Sequence, residues 1–127
     1  MQITAAESQI MDALWRRGPL STDEVIAEVG VAQGWAEGTV RTLINRLLRK
    51  KAIAGEREGS RYQYRPLVDR DAYVLTESQG LLDRLFDGEV TPMIAHFARH
   101  RALTPEDVQK LKQLIVELLQ PASEDGV

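Results

Sequence analysis

Apolar residues recur at helical spacing from the start of the chain. Ile10, Met11, Leu14 and Trp15 form one stripe, preceded by Thr4 and, three positions on, Glu7. A Thr and a Glu at that distance each satisfy a backbone N–H of the other, so the pair predicts a helix start. Gly18 and Pro19 stop the helix. Ser21 and Glu24 repeat the pattern, Val25, Ile26 and Val29 supply a short apolar face, and Gly30 is expected to end it. The stretch "VAQGWAEG" reads as a loop, anchored by Trp35, into a third helix at roughly 36–50. There Val40, Leu43, Ile44, Leu47 and Leu48 keep the 3.6-residue period of a core-facing stripe.

After Lys51 the period drops to two. "AIAGERE" and "SRYQYRP" predict two short strands around Gly59 and Ser60, with Tyr62 and Tyr64 on one face and Pro66 closing the unit. Three short helices followed by a hairpin make a winged helix-turn-helix. The remainder returns to helical spacing. Asp69 starts a helix to about Phe86, "DGEVTPM" interrupts it, Met93, Ile94 and Phe97 continue on another, and Thr104, Pro105 and Asp107 open the last. The expected fold is mostly α: a winged helix-turn-helix at 1–67, a three-helix dimerisation region at 68–120 and a flexible tail at 121–127. Leu81, Leu82, Leu85, Phe86, Ile94, Phe97, Leu111, Leu114, Ile115 and Leu118 exceed what so small a helical region buries alone, which predicts a homodimer.

Charge separates these regions. The formal net charge is -3, yet residues 1–67 hold ten basic and eight acidic side chains, and 68–127 hold six and eleven. From Arg41 to Arg65 there are eight basic residues against two acids. Local charge sets local potential, so this stretch attracts polyanions although the whole chain is acidic. The exposed side of the third helix carries Thr39, Arg41, Thr42 and Asn45, side chains able to contact base edges in a major groove. Arg46, Arg49, Lys50 and Lys51, with Arg57 and Arg61 of the hairpin, suit phosphates. The expected partner is a double-stranded DNA operator.

Other chemistry finds little support. No cysteine excludes disulfides and thiolate metal sites, and His96 and His100 flanked by Arg99 and Arg101 make a poor metal centre. No serine has a base and orienting acid in view, and the isolated glycines of "GEREG" are no phosphate loop. The reading is therefore a protein without catalysis, metal or cofactor. No apolar run reaches the roughly 18 residues of a spanning helix and the N-terminus lacks a secretion signal, so a cytoplasmic protein without membrane insertion is expected. Two alternatives stay open: a winged-helix module binding an acidic protein, and a regulator sensing a small molecule near Tyr73, Phe86 and Met93.

The segments "ALWRRGPLSTDEVIAEV", "WAEGTVRTLINRLLRKKAI", "REGSRYQYRPLVDRDAY" and "LLDRLFDGEV" together resemble the penicillinase repressor (BlaI/MecI-type) family from about Ala5 to Leu119. The resemblance implies a bacterial repressor that binds palindromic operators as a homodimer, in several members controlling beta-lactam response genes. It implies DNA contacts at Thr39, Thr42 and Arg46 and along a wing from Arg57 to Tyr64. It also implies relief by a membrane sensor-protease system that leads to cleavage in the C-terminal region. The family's Asn–Phe cleavage bond falls on His96–Phe97, where the phenylalanine is present and the asparagine is not. Where the family has a lysine-glycine turn after the third helix, this chain has Lys51 and Ala52.

Overall fold

The structure, a computed structural model, describes residues 2–100 and 103–121. Helix α1 (Ala5–Arg17) starts at the expected box: the Thr4 hydroxyl accepts from the Glu7 N–H at 3.1 Å, and the Glu7 carboxylate accepts from the Thr4 N–H at 2.8 Å. Gly18 ends it at φ +87°, its N–H bonded to the Leu14 carbonyl. Ser21 and Glu24 open α2 (Thr22–Val25) with the same reciprocal bonds, at 3.2 and 2.9 Å.

Gly30 does not stop this helix. The backbone runs on through a π-helical turn (Ile26–Gly30) into α3 (Val31–Gln33), and Gly34 ends it at φ +72°. The expected loop is thus helical in its first part. Gly30 is buried, and a Cβ there would meet Val40 Cγ2 at 3.1 Å. Its role is to let this helix approach the next one closely.

Helix α4 (Glu37–Arg49) lies within one residue of its expected bounds. Val40, Leu43, Ile44 and Leu47 are buried and Leu48 is half-buried. They pack with Ile10, Met11 and Leu14 of α1 and with Val25 and Val29 into one core. Trp15 sits at its margin, half-buried, with Nε1 donating to the Val68 carbonyl at 2.9 Å and its ring 5.4 Å from that of Tyr73.

The turn after α4 is made without glycine. The Ala52 N–H bonds the Leu47 carbonyl and the Lys51 N–H bonds the Leu48 carbonyl, both at 3.0 Å, the pattern of a Schellman C-cap. Its left-handed residue is Lys51, at φ +62°, while Ala52 is buried. Ala52 is therefore the packing residue and Lys51 bears the strain.

Strands β1 (Ile53–Glu58) and β2 (Arg61–Pro66) pair antiparallel, with Ile53 opposite Pro66 and Glu58 opposite Arg61 around a Gly59–Ser60 turn. Gly59 supplies the positive φ of +63° that the turn requires. Leu20 and Tyr64 exchange two backbone hydrogen bonds, at 3.1 and 2.8 Å, and tie the hairpin to the segment between α1 and α2. Three helices and a pinned hairpin form the winged helix-turn-helix.

The chain divides into two compact units, Met1–Thr76 and Glu77–Val127. Helix α5 (Arg70–Phe86) starts with the Asp69 carboxylate accepting from the Ala72 N–H at 3.1 Å. Asp87 and Gly88, both at positive φ, follow it. Helix α6 (Val90–Arg99) then begins earlier than the interruption "DGEVTPM" suggests, with Thr91 and Pro92 in its first turn. Thr104 and Asp107 cap α7 (Pro105–Leu119) reciprocally at 3.0 and 3.1 Å. None of these three helices has a buried residue. Of the expected tail, only Pro121 lies among the described residues.

Candidate nucleic-acid interface

The core stripe of α4 fixes what the opposite side presents. With Val40, Leu43, Ile44 and Leu47 inside, Thr39, Arg41, Thr42, Asn45, Arg46 and Arg49 are all exposed. The helix N-terminus is reached through the Gly34 turn, with the Trp35 N–H bonded to the Gly30 carbonyl at 2.8 Å. Trp35 is half-buried against the core, consistent with an anchor for this entry. Ala36, Gly38, Thr39, Thr42, Leu43 and Arg46 line an open recess of about 520 Å³ along the helix.

Cations sort into two groups. Among residues 1–67, Arg16 pairs with Asp12, Arg17 with Glu28, Lys50 with Glu7, Arg61 with Glu24 and Arg65 with Glu56. Arg41, Arg46, Arg49, Lys51 and Arg57 have no ion pair among the described residues. These five are all exposed, on α4, on the turn after it or on β1. An unpaired, solvated cation can meet a phosphate without first giving up a carboxylate.

Two residues that sequence assigned to phosphates are held elsewhere. The Lys50 ammonium donates to the Glu7 carboxylate and, at 2.7 Å, to the Gln2 carbonyl. Glu7 is fully buried, and Lys50 brings it the charge that burial demands. Burial alone would raise the Glu7 pKa. Hydrogen bonds from Lys50 and from the Thr4 N–H and hydroxyl, with the Lys50 charge, outweigh it, and the pKa lies below the ordinary carboxylate value. Arg61 Nη2 sits 2.6 Å from Glu24 Oε1. The Glu24 pKa is also lowered, first by the Ser21 N–H and then by Arg61. Sequence showed both carboxylates as helix caps but not their second partners, which come from distant parts of the chain.

The hairpin presents Arg57 opposite Tyr62. Tyr64 is half-buried, with its hydroxyl 3.3 Å from the Thr22 hydroxyl. Tyr62 is exposed, and its ring covers Gly55 so closely that a Cβ there would lie 2.2 Å from the hydroxyl. The two rings meet edge to face at 5.6 Å. Between α2, α4 and the hairpin, Ser21, Thr22, Glu24, Arg41, Arg61 and Tyr62 border an open groove of about 570 Å³.

In the second unit none of the expected dimerisation residues is buried. Leu81, Leu85, Phe97, Leu114, Ile115 and Leu118 are exposed, while Leu82, Phe86, Ile94 and Leu111 are half-buried. His96 and Phe97 lie within α6, and the His96 ring stands 4.5 Å from that of His100. Among the described residues no helix is long and apolar enough to cross a membrane.

Comparison with known proteins agrees with this architecture. Residues 3–117 match the family model described as Penicillinase repressor. A penicillinase repressor of Bacillus licheniformis is 30% identical over 116 residues, covering 91% of each chain. The methicillin resistance regulatory protein MecI of Staphylococcus aureus (strain N315) is 24% identical over 114 residues, 90% of this chain and 93% of that one. The solution structure of the Bacillus licheniformis BlaI monomeric form in complex with the blaP half-operator superposes with a TM-score of 0.53. It is 33% identical and covers 57% of this chain and 89% of that one.

Proposed function

The chain belongs to the penicillinase repressor family, and from that premise we propose that this DNA-binding transcriptional repressor grips palindromic operators as a homodimer. The observation that carries the reading is the sorting of cations: the unpaired ones of residues 1–67 gather on α4, its C-terminal turn and β1. Thr39, Arg41, Thr42 and Asn45 face base edges in a major groove, where Arg forks onto guanine and Asn onto adenine. Arg46, Arg49, Lys51 and Arg57 take phosphates. Lys50 stays with Glu7 and stabilises the junction of α1 and α4 from inside.

The uncovered apolar residues of α5, α6 and α7 join two copies, so two heads reach two half-sites. Regulated genes of the beta-lactam response fit the names of the relatives. Relief comes from a membrane sensor-protease system that leads to cleavage at His96–Phe97. Cleavage there separates α7 from the rest and removes much of the dimer surface. Because the bond lies within a helix, α6 must unwind locally to present it.

A titration of the protein against duplex from upstream of its own gene, beside a scrambled duplex of equal length, tests the reading. Tighter binding to the upstream duplex, weakening steeply with salt, is expected. Equal, weak binding to both would overturn it.

A further inference from the structure

Arg61 and Glu24 face each other across the groove between α2 and the hairpin, 2.6 Å apart. Both side chains are substantially solvent-exposed, at 55% and 37%. An ion pair so exposed adds little to the stability of a fold. Its position matters more, because it stands beside Arg41 on the face that the function proposed above turns toward DNA. Glu24 is already fixed there by its reciprocal bonds with Ser21, so its carboxylate is a stationary charge rather than a mobile one. It occupies the only cation of the hairpin's β2 that borders the groove, and it would itself repel a phosphate entering there.

We propose that Glu24 is a specificity-determining residue of the DNA interface: it withholds Arg61 from phosphates and uses it to hold the wing in one position against α2. Non-specific binding is almost wholly phosphate neutralisation, so each cation withheld lowers affinity for every duplex. Operator binding also needs α4 and the wing in a single register; the Leu20–Tyr64 bonds fix the base of the hairpin, and the Glu24 pair adds a restraint nearer its tip. A freed Arg61 would serve any register equally. Discrimination between operator and other DNA therefore depends on a carboxylate that touches neither. The inference rests on the DNA-binding reading and reverses the role that charge alone suggests for Arg61.

Glu24→Gln removes the charge and keeps a side chain able to close the capping box. Binding of the full chain to operator and to scrambled duplex is measured between 50 and 200 mM salt. For the scrambled duplex, the slope of log K against log[salt] should steepen by about 0.9 per bound head, an additional loss of about 3.5-fold across that range. The ratio of operator to scrambled affinity should fall. The double variant Glu24→Gln with Arg61→Gln should return to the wild-type slope, and Arg61→Gln alone should leave that slope in place while lowering the ratio. An unchanged slope in Glu24→Gln, or a slope flattened by about 0.9 in Arg61→Gln alone, would overturn the inference. Wild-type protein without salt-sensitive duplex binding would instead overturn the DNA-binding reading, and this inference with it.

Discussion

The two units of the chain treat their apolar residues differently. In the first, the stripes of α1, α2 and α4 close on one another, and the buried apolar residues described all fall between Ile3 and Ile53. In the second, helices just as regularly patterned leave Leu85, Ile115, Leu118 and Leu119 more than half exposed. Periodicity announces that a face will be covered; it does not say by what. The head covers its own faces and presents charge, while the tail leaves its apolar faces exposed.

Truncation should separate the two most sharply. Leu47→Ala should destabilise the head by about 3–4 kcal/mol, the cost of a cavity among fully packed neighbours. Denaturant unfolding followed by tryptophan fluorescence would show it, since Trp15 packs on that core. Leu118→Ala should leave the head's transition in place and shift the monomer–dimer equilibrium in sedimentation. A comparable loss of head stability from both variants would erase the contrast.

The Glu7–Lys50 pair provides the next largest effect. Lys50→Ala leaves a buried carboxylate without its cation, at a cost of about 2–3 kcal/mol, below the full range for buried pairs because Lys50 keeps some solvent contact. The pH dependence has a definite sign. The Glu7 pKa is lower folded than its ordinary value of 4.5, so its contribution is present above pH 4.5 and is lost as pH falls through the folded value. The stability gap between wild type and Lys50→Ala should therefore be full near neutral pH and narrow as pH falls through the folded Glu7 value.

At the interface, Asn45→Ala should cost about 1–3 kcal/mol on operator duplex and far less on scrambled duplex, as removal of a base contact requires. Equal losses on both would move Asn45 to the phosphate class. The smallest effect concerns the turn after α4. Lys51→Gly relieves a left-handed φ in a side-chain-bearing residue and should stabilise the head by roughly 0.5–1 kcal/mol, offset in part by the greater freedom of glycine when unfolded. Thermal melting reads it directly.

Much of this was legible in sequence because it is local. Three capping boxes, the α4 stripe and the Gly59–Ser60 turn each depend on residues within a few positions. Gly30 continues the helix where sequence predicts its end, because a buried glycine and a terminating glycine look alike until the partner helix is known; Val40 reveals the difference. Lys50 and Arg61 counted as free cations because their carboxylates lie 43 and 37 positions away along the chain. Charge composition locates a basic region, but only the fold says which of its charges are already spoken for.

On the function proposed above, the unpaired cations of α4, its turn and β1 carry DNA binding. The most direct measurement is the salt dependence of operator binding by wild type and by a variant with Arg46, Arg49, Lys51 and Arg57 all changed to Gln. These side chains are exposed and have no ion pair among the described residues, so the variant should fold as wild type does. The slope of log K against log[salt] is predicted to flatten by about 3.6 per bound head. A folded variant that retains the wild-type slope would show that these four side chains do not meet the phosphates.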